Sequence, residues 1–322
     1  MAVRPPPPRR ACRGADRRRA RLYNQPITTD RERAFTVISR TAPPLLFHPT
    51  PRAVYGFPGA RRVAQVQSPH QRIEVWDTPQ LGVLFTLDER PMTSVGDEFI
   101  YHECMVHPAA LAHPCPRKAL VLGGGDGGAA RQLLAHPSIE RIVVAELDEA
   151  VLDMARAHLT QVHRGALDDA RVQVVIGDAA RFVATTMERF DLVVFDLTPP
   201  DSPAAELYTP VFYARLKHIL APCAMLSMHL GSAQFHLERA AALARGLRAS
   251  FAMVDVISAF VPLYGSLWLM ALASDTLEAA SLFKRDIEER LAARGIDGLR
   301  YYDAALHPAL FLLPRAVREA LR

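Results

Sequence analysis

Gly123-Gly124-Gly125-Asp126-Gly127-Gly128 sets five glycines and one acid in six positions. It follows the apolar run Ala119–Leu122 and precedes a helix-forming stretch. Such a loop turns sharply and lets the backbone approach a bound nucleotide closely. Its Gly-x-Gly-x-x-Gly spacing, with Glu146 eighteen residues on, suits a nucleoside whose ribose hydroxyls an acid accepts. Dinucleotide and S-adenosyl sites share this spacing, and a ligand-free glycine turn is the plainer alternative. Asp126 is the informative residue. Its carboxylate opposes a bound pyrophosphate and an amino-acid carboxylate, and it attracts an ammonium group. An NAD oxidoreductase is therefore disfavoured.

Further acids close other apolar runs. Glu146 follows Ile142-Val143-Val144, and Asp178 follows Ile176-Gly177 beside the small Ala179. Asp196 follows Leu192-Val193-Val194-Phe195. Each has a simpler reading: Glu146 as a solvated strand end, Asp178 as a helix N-cap, Asp196 as a turn residue. Together they are specific, because ligands of open α/β sheets bind beyond the carboxyl ends of the strands. Asp196, emerging from an apolar strand into a crevice, is partly desolvated, which raises its pKa and suits a general base. Gln71 and Tyr101-His102-Glu103 are the polar groups a preceding domain could supply. No metal-ligand spacing and no Gly-x-Ser-x-Gly elbow appear.

The elements that must position these groups alternate. Strands are expected at Ala119–Leu122, Arg141–Glu146, Val172–Gly177 and Asp191–Asp196. Helices are expected at Ala129–Ala135, Asp148–His158, Ala179–Met187 and Pro210–Leu220. Strands at Ala224–Met228, Val254–Ile257 and Trp268–Ala273 extend the sheet. The fold class is α/β: a methyltransferase-like, doubly wound (Rossmann-like) sheet preceded by a small N-terminal β domain. The expected domains are a disordered basic Pro/Arg-rich tail over 1–58, a β-rich domain with an interdomain helix over 59–115, and an S-adenosyl-binding catalytic domain over 116–322.

Composition sets outer limits. The 322 residues are 50% hydrophobic and 22% charged, as in ordinary globular proteins. The net charge of +4 conceals an asymmetry: residues 1–40 carry eleven arginines against three acids, leaving the remainder at −4. A mildly acidic body implies no nucleic-acid partner. Four cysteines without a CxxC pair are expected to be reduced thiols in a cytoplasmic protein. No uninterrupted apolar run is long enough to span a membrane.

Asp97-Glu98-Phe99-Ile100-Tyr101-His102-Glu103, the GGGDGG loop, Glu146-Leu147-Asp148, Gly177-Asp178 and the tail Tyr301-Tyr302-Asp303 through Phe311-Leu312-Leu313-Pro314 resemble the polyamine aminopropyltransferases, specifically spermidine synthases. The likeness runs from about Gln71 to Arg322. It implies transfer of the aminopropyl group of decarboxylated S-adenosylmethionine to putrescine, giving spermidine and methylthioadenosine. The donor is a co-substrate; no cofactor and no metal are implied. Gln71, Glu146, Asp178, Ala179 and Pro203 would hold the nucleoside. His102 and Asp126 would hold the amine, Tyr101 and Tyr264 would line the slot, and Asp196 would accept the proton. A homodimer or homotetramer is implied.

Three departures fall on the amine side. Pro199 stands where the family has a second acid, with Asp201 placed to compensate. Met228-His229-Leu230 lacks the family's glutamine, and Tyr264-Gly265-Ser266-Leu267 replaces Tyr-Pro-x-Gly. The acceptor is thus open among putrescine, cadaverine, agmatine and spermidine. The competing readings are an S-adenosylmethionine-dependent methyltransferase and a donor-binding protein that has lost turnover.

Overall fold

The computed structural model describes residues 43–322. The expected tail over 1–42 lies outside these residues. The remainder of that expectation is corrected: β1 (Leu45–Thr50) and β2 (Ala53–Phe57) form an antiparallel hairpin. Phe47 is buried in it, its ring 5.6 Å from Tyr55 and 6.1 Å from Phe57.

A four-stranded antiparallel sheet follows: β3 (Arg61–Gln67), β4 (Arg72–Thr78), β5 (Gly82–Leu87) and β6 (Arg90–Ser94), paired in that order. Ile73 and Val75 turn inward with Phe85 and Leu87, and this face packs on Val151, Ala155 and Leu159.

Helix α1 (Glu98–Ala112) links this sheet to the main one. Every residue of it except Phe99 is buried, which is why its sequence shows little amphipathic contrast.

The main sheet has seven strands in the order β12-β13-β11-β10-β7-β8-β9. They are β7 (Lys118–Gly123), β8 (Arg141–Glu146), β9 (Val172–Ile176), β10 (Phe190–Asp196), β11 (Leu220–Ser232), β12 (Met253–Val261) and β13 (Ser266–Ser274). β7 to β11 run parallel, and β13 pairs antiparallel with both β11 and β12. The central strands are continuous Val/Leu/Ile/Phe runs because helices cover both faces. The connecting helices are α2 (Gly128–Leu134), α3 (Glu149–His158), the short α4 (Thr160–His163), α5 (Ala179–Thr185), α6 (Pro210–Lys217) and α7 (Leu237–Arg248). After the sheet come α8 (Lys284–Arg294), α9 (Leu306–Leu310) and α10 (Arg315–Ala320). The strand order reverses between β7 and β10, so a crevice opens beyond their carboxyl ends. Among the described residues no helix is long and apolar enough to cross a membrane.

Candidate active site

A cavity of about 300 Å³ occupies that crevice. Gln71, Tyr101, His102, Asp126, Glu146, Asp178, Ala179, Asp196, Asp201, Pro203 and Tyr264 all line it. Residues read from four separate strand ends and from the preceding domain therefore meet in one place.

The glycine loop fits only without side chains. A Cβ on Gly123 would stand 2.4 Å from the Asp196 carbonyl, and one on Gly125 would stand 2.7 Å from Val151 and 2.9 Å from a Glu146 carboxylate oxygen. A Cβ on Gly128 would enter the His102 ring, 2.2 Å from its nearest atom. Gly123, Gly124 and Gly127 have φ between 73° and 76°, the left-handed region that glycine enters freely.

At the β8 end, Glu146 accepts from the Asp148 N–H at 3.0 Å. Burial pushes its carboxyl up to about 7 against the pull of such backbone donors. Asp148 caps α3 and accepts from Ser68 Oγ at 2.5 Å and Gln71 Nε2 at 3.0 Å, so Gln71 is fixed beside Glu146. Asp178 caps α5 through the Ala180 N–H at 2.7 Å while also lining the cavity. The cap and the crevice position coexist.

The opposite end is acidic. His102 Nε2 lies 3.5 Å from Asp126 and 3.8 Å from Asp196. Its Nδ1 donates to Glu98 at 2.8 Å, and Glu98 in turn accepts from Arg131 at 2.9–3.0 Å. Burial alone would lower the His102 pKa, but Asp126, Glu98 and Asp196 raise it well above the usual histidine value. Burial alone would raise Asp126; the His102 cation and the Gly128 N–H hold it below the carboxylate range instead. For Asp196, burial and then the Asp126 charge push the carboxyl up to about 6, against His102 and Tyr101. One Asp196 oxygen is buried with no hydrogen-bond partner. Ligand atoms of His102, Asp126 and Asp196 all lie within 4.8 Å of one another, two carboxylates around one protonated imidazole.

The motif around α1 divides its labour. Asp97 accepts from Ser94 Oγ at 2.5 Å and from the Leu263 N–H at 2.6 Å, anchoring the turn that carries Tyr264. Glu98 orients His102, and Tyr101 with His102 faces the cavity. Glu103 points away. Its carboxylate accepts from the backbone N–H groups of Arg300, Tyr301 and Tyr302 at 2.8–2.9 Å.

The expected role of Asp201 changes. It lines the mouth, but its Oδ1 accepts from Arg90 at 2.7 Å and lies 3.3 Å from Arg239. A carboxylate shared by two guanidiniums is not free to replace the missing acid at Pro199. Tyr101 and Tyr264, expected at the slot, do line it, but sequence reasoning missed that Trp268 and His229 extend them into an aromatic wall. Tyr264 lies 6.0 Å from Tyr101 and 4.2 Å from Trp268, and Trp268 stacks 6.0 Å from His229. His229 occupies the place where no glutamine was found. Its Nε2 donates to the Leu197 carbonyl at 2.8 Å and sits 2.8 Å from Tyr208 Oη, whose proton goes to the Thr198 carbonyl. Burial pushes its imidazole down to about 4, so it is neutral near pH 7. Trp268 sits in a strand that reads as ordinary core, and nothing in its spacing marks a cavity residue.

Sheet order, helical layers and the crevice at the β7/β10 reversal define the methyltransferase-like class of α/β proteins. Residues 98–283 match the model of the spermine/spermidine synthase domain. The chain is 44% identical over 259 residues to a polyamine aminopropyltransferase of Nitrosomonas europaea, covering 80% of each chain. It is 36% identical over 258 residues to polyamine aminopropyltransferase 1 of Pseudomonas aeruginosa, covering 80% of this chain and 90% of that one. The crystal structure of spermidine synthase from Thermotoga maritima superposes with a TM-score of 0.75 at 32% identity, over 81% of this chain and 87% of that one. A spermidine synthase in complex with the transition-state analogue AdoDATO gives 0.76, also at 32% identity, over 81% of this chain and 88% of that one. The chain belongs to the spermine/spermidine synthase family, the polyamine aminopropyltransferases, and is a transferase.

Proposed function

We propose that the protein transfers the aminopropyl group of decarboxylated S-adenosylmethionine to putrescine, giving spermidine and methylthioadenosine. One observation carries this reading. The crevice has a nucleoside end built on Gln71, Glu146 and Asp178, and an inner end whose acids, Asp126 and Asp196, flank His102. Among the described residues no lysine lines the crevice, and the arginines that do, Arg90 and Arg239, gather on Asp201 and not on Asp126. A donor that still carries a carboxylate meets Asp126 there; one that carries only an ammonium finds a partner.

The chemistry follows from the groups present. The sulfonium makes the adjoining methylene electrophilic. The acceptor amine has an ordinary pKa near that of lysine, about 10.4, and must lose a proton before it can attack. Asp196, desolvated and raised, takes that proton. The nitrogen lone pair forms the new N–C bond as the C–S bond breaks, and the sulfur leaves as the neutral thioether methylthioadenosine. Holding both reactants in line removes the entropic cost of their encounter.

Calorimetric titration with S-adenosylmethionine and with its decarboxylated form tests the donor. The decarboxylated form should bind tighter; the reverse order points to a methyltransferase. Release of methylthioadenosine on adding putrescine tests turnover, and donor binding without release from any amine points to a protein that has lost it.

A further inference from the structure

Two guanidiniums stand at the open end of the crevice, and the transfer chemistry uses neither. Arg90 begins β6 and Arg239 belongs to α7, yet both reach Asp201 in the loop after β10. One carboxylate against two permanent cations leaves a local excess of one positive charge. The other acids at this rim, Glu89 and Glu206, are exposed, and Glu89 is paired with Arg72. Arg239 is half-buried, and its Nε is buried without a hydrogen-bond partner.

The aromatic wall joins this cationic end to the acidic one. It runs from Asp196 past Tyr101, Tyr264 and Trp268 to His229, with Arg239 lining the same cavity and close enough to perturb His229. An amine chain laid along the wall meets carboxylates first and guanidiniums last.

We propose that Arg239 is a charge barrier that restricts the acceptor to short amines, with Arg90 positioning it through Asp201. A diamine whose far nitrogen stops at the wall is accepted. A triamine must carry a third ammonium past His229, where it faces Arg239 in a partly desolvated site that strengthens like-charge repulsion. The proposal rests on the reading of the Asp196 end as the acceptor site.

The test compares kcat/KM for putrescine and spermidine, by methylthioadenosine release at saturating donor, in the wild type, Arg239→Gln, Arg239→Lys and Arg90→Gln. The wild type should prefer putrescine. Arg239→Gln should raise the spermidine-to-putrescine ratio roughly tenfold. Arg90→Gln should raise it less, and Arg239→Lys, which keeps the charge, should leave it near the wild-type value. Added salt should narrow the wild-type preference more than that of Arg239→Gln. Melting curves establish that each variant is folded, and Arg90→Gln carries the comparison if Arg239→Gln is not. A wild type that prefers spermidine, or an unchanged ratio in the folded glutamine variants, overturns the barrier. A wild type that releases no methylthioadenosine with any amine overturns the reading of the site itself.

Discussion

Asp196 combines two properties that oppose each other in folding and agree in catalysis. Burial and the Asp126 charge raise its carboxyl to about 6, above the ordinary aspartate value of 3.8. The folded state therefore binds this proton more tightly than the unfolded chain does. The group's contribution to stability is full at low pH and is lost as pH rises from about 4 to 6. Above that range it is an ionised, desolvated base. Asp196→Asn should lower kcat by about 10²–10⁴, the usual share of general-base catalysis. The melting temperature at pH 7 should be unchanged or higher. The wild-type rate should level off above about pH 6, whereas the variant, with no base, should keep rising with pH across the range as more of the amine is already deprotonated. Stopped assays across pH 5–8 and a melting curve check both; unchanged kcat in the variant removes Asp196 from the proton path. The strand-end acids were legible because a charge after four apolar residues has one place to go. Asp201 was not, since its partners Arg90 and Arg239 are remote in sequence and only the fold brings them together.

Helix α1 shows what a motif is for when only part of it touches the cavity. Two neighbouring side chains, His102 and Glu103, serve opposite faces: one the crevice, the other the C-terminal segment. Arg294 donates to the carbonyls of Ala110, His113 and Pro114, and Arg290 to those of Leu111 and Ala112. These guanidiniums satisfy the free C-terminal carbonyls of the helix and complement its dipole. Beside them runs a buried chain in which Gln132 bonds His107, His107 bonds His136, and His136 bonds Arg294, each at 3.0 Å. Glu103→Ala should strand three backbone N–H groups, each costing about 1–3 kcal/mol where it stays dry. With about 2–4 °C per kcal/mol for a domain of this size, a melting loss of roughly 5 °C or more is expected. His102 should shift with the helix, so kcat should fall as well. A variant that melts like the wild type shows that the tail finds other partners. The sequence displayed the helix and both motif halves; it could not show that Glu103 ties one to the other, because side-chain direction on a helix buried except at Phe99 has no polar face to betray it.

At the scale of the whole molecule, the alternation of strands and helices made the main sheet and its crevice readable, while the hairpin over Leu45–Phe57 escaped. Its strands are short, and Pro43, Pro44, Pro49 and Pro51 flank or interrupt the first of them, which in sequence terms argues against a strand. What holds it is tertiary. Tyr55 stacks on Phe235 with rings 6.5 Å apart at 5°, and His236 donates to the Pro49 carbonyl at 2.8 Å. Phe47, His48, Pro49 and Tyr55 line the cavity together with Tyr264 and Phe235. Two truncations separate the basic segment from the hairpin. Removing residues 1–42 should leave melting temperature and kinetics close to those of the full chain, because that segment carries no packable hydrophobic period. Removing residues 1–58 takes away the buried Phe47, a side chain worth about 1.5–3 kcal/mol, and should lower the melting temperature by roughly 5 °C or more. It should also raise KM for the amine more than KM for the donor, since the hairpin borders Tyr264 and Phe235 rather than Glu146 and Asp178. Equal behaviour of the two truncations would mean that the hairpin neither supports the fold nor shapes the acceptor end, and a loss already complete in the shorter truncation would place the stabilising contacts within residues 1–42.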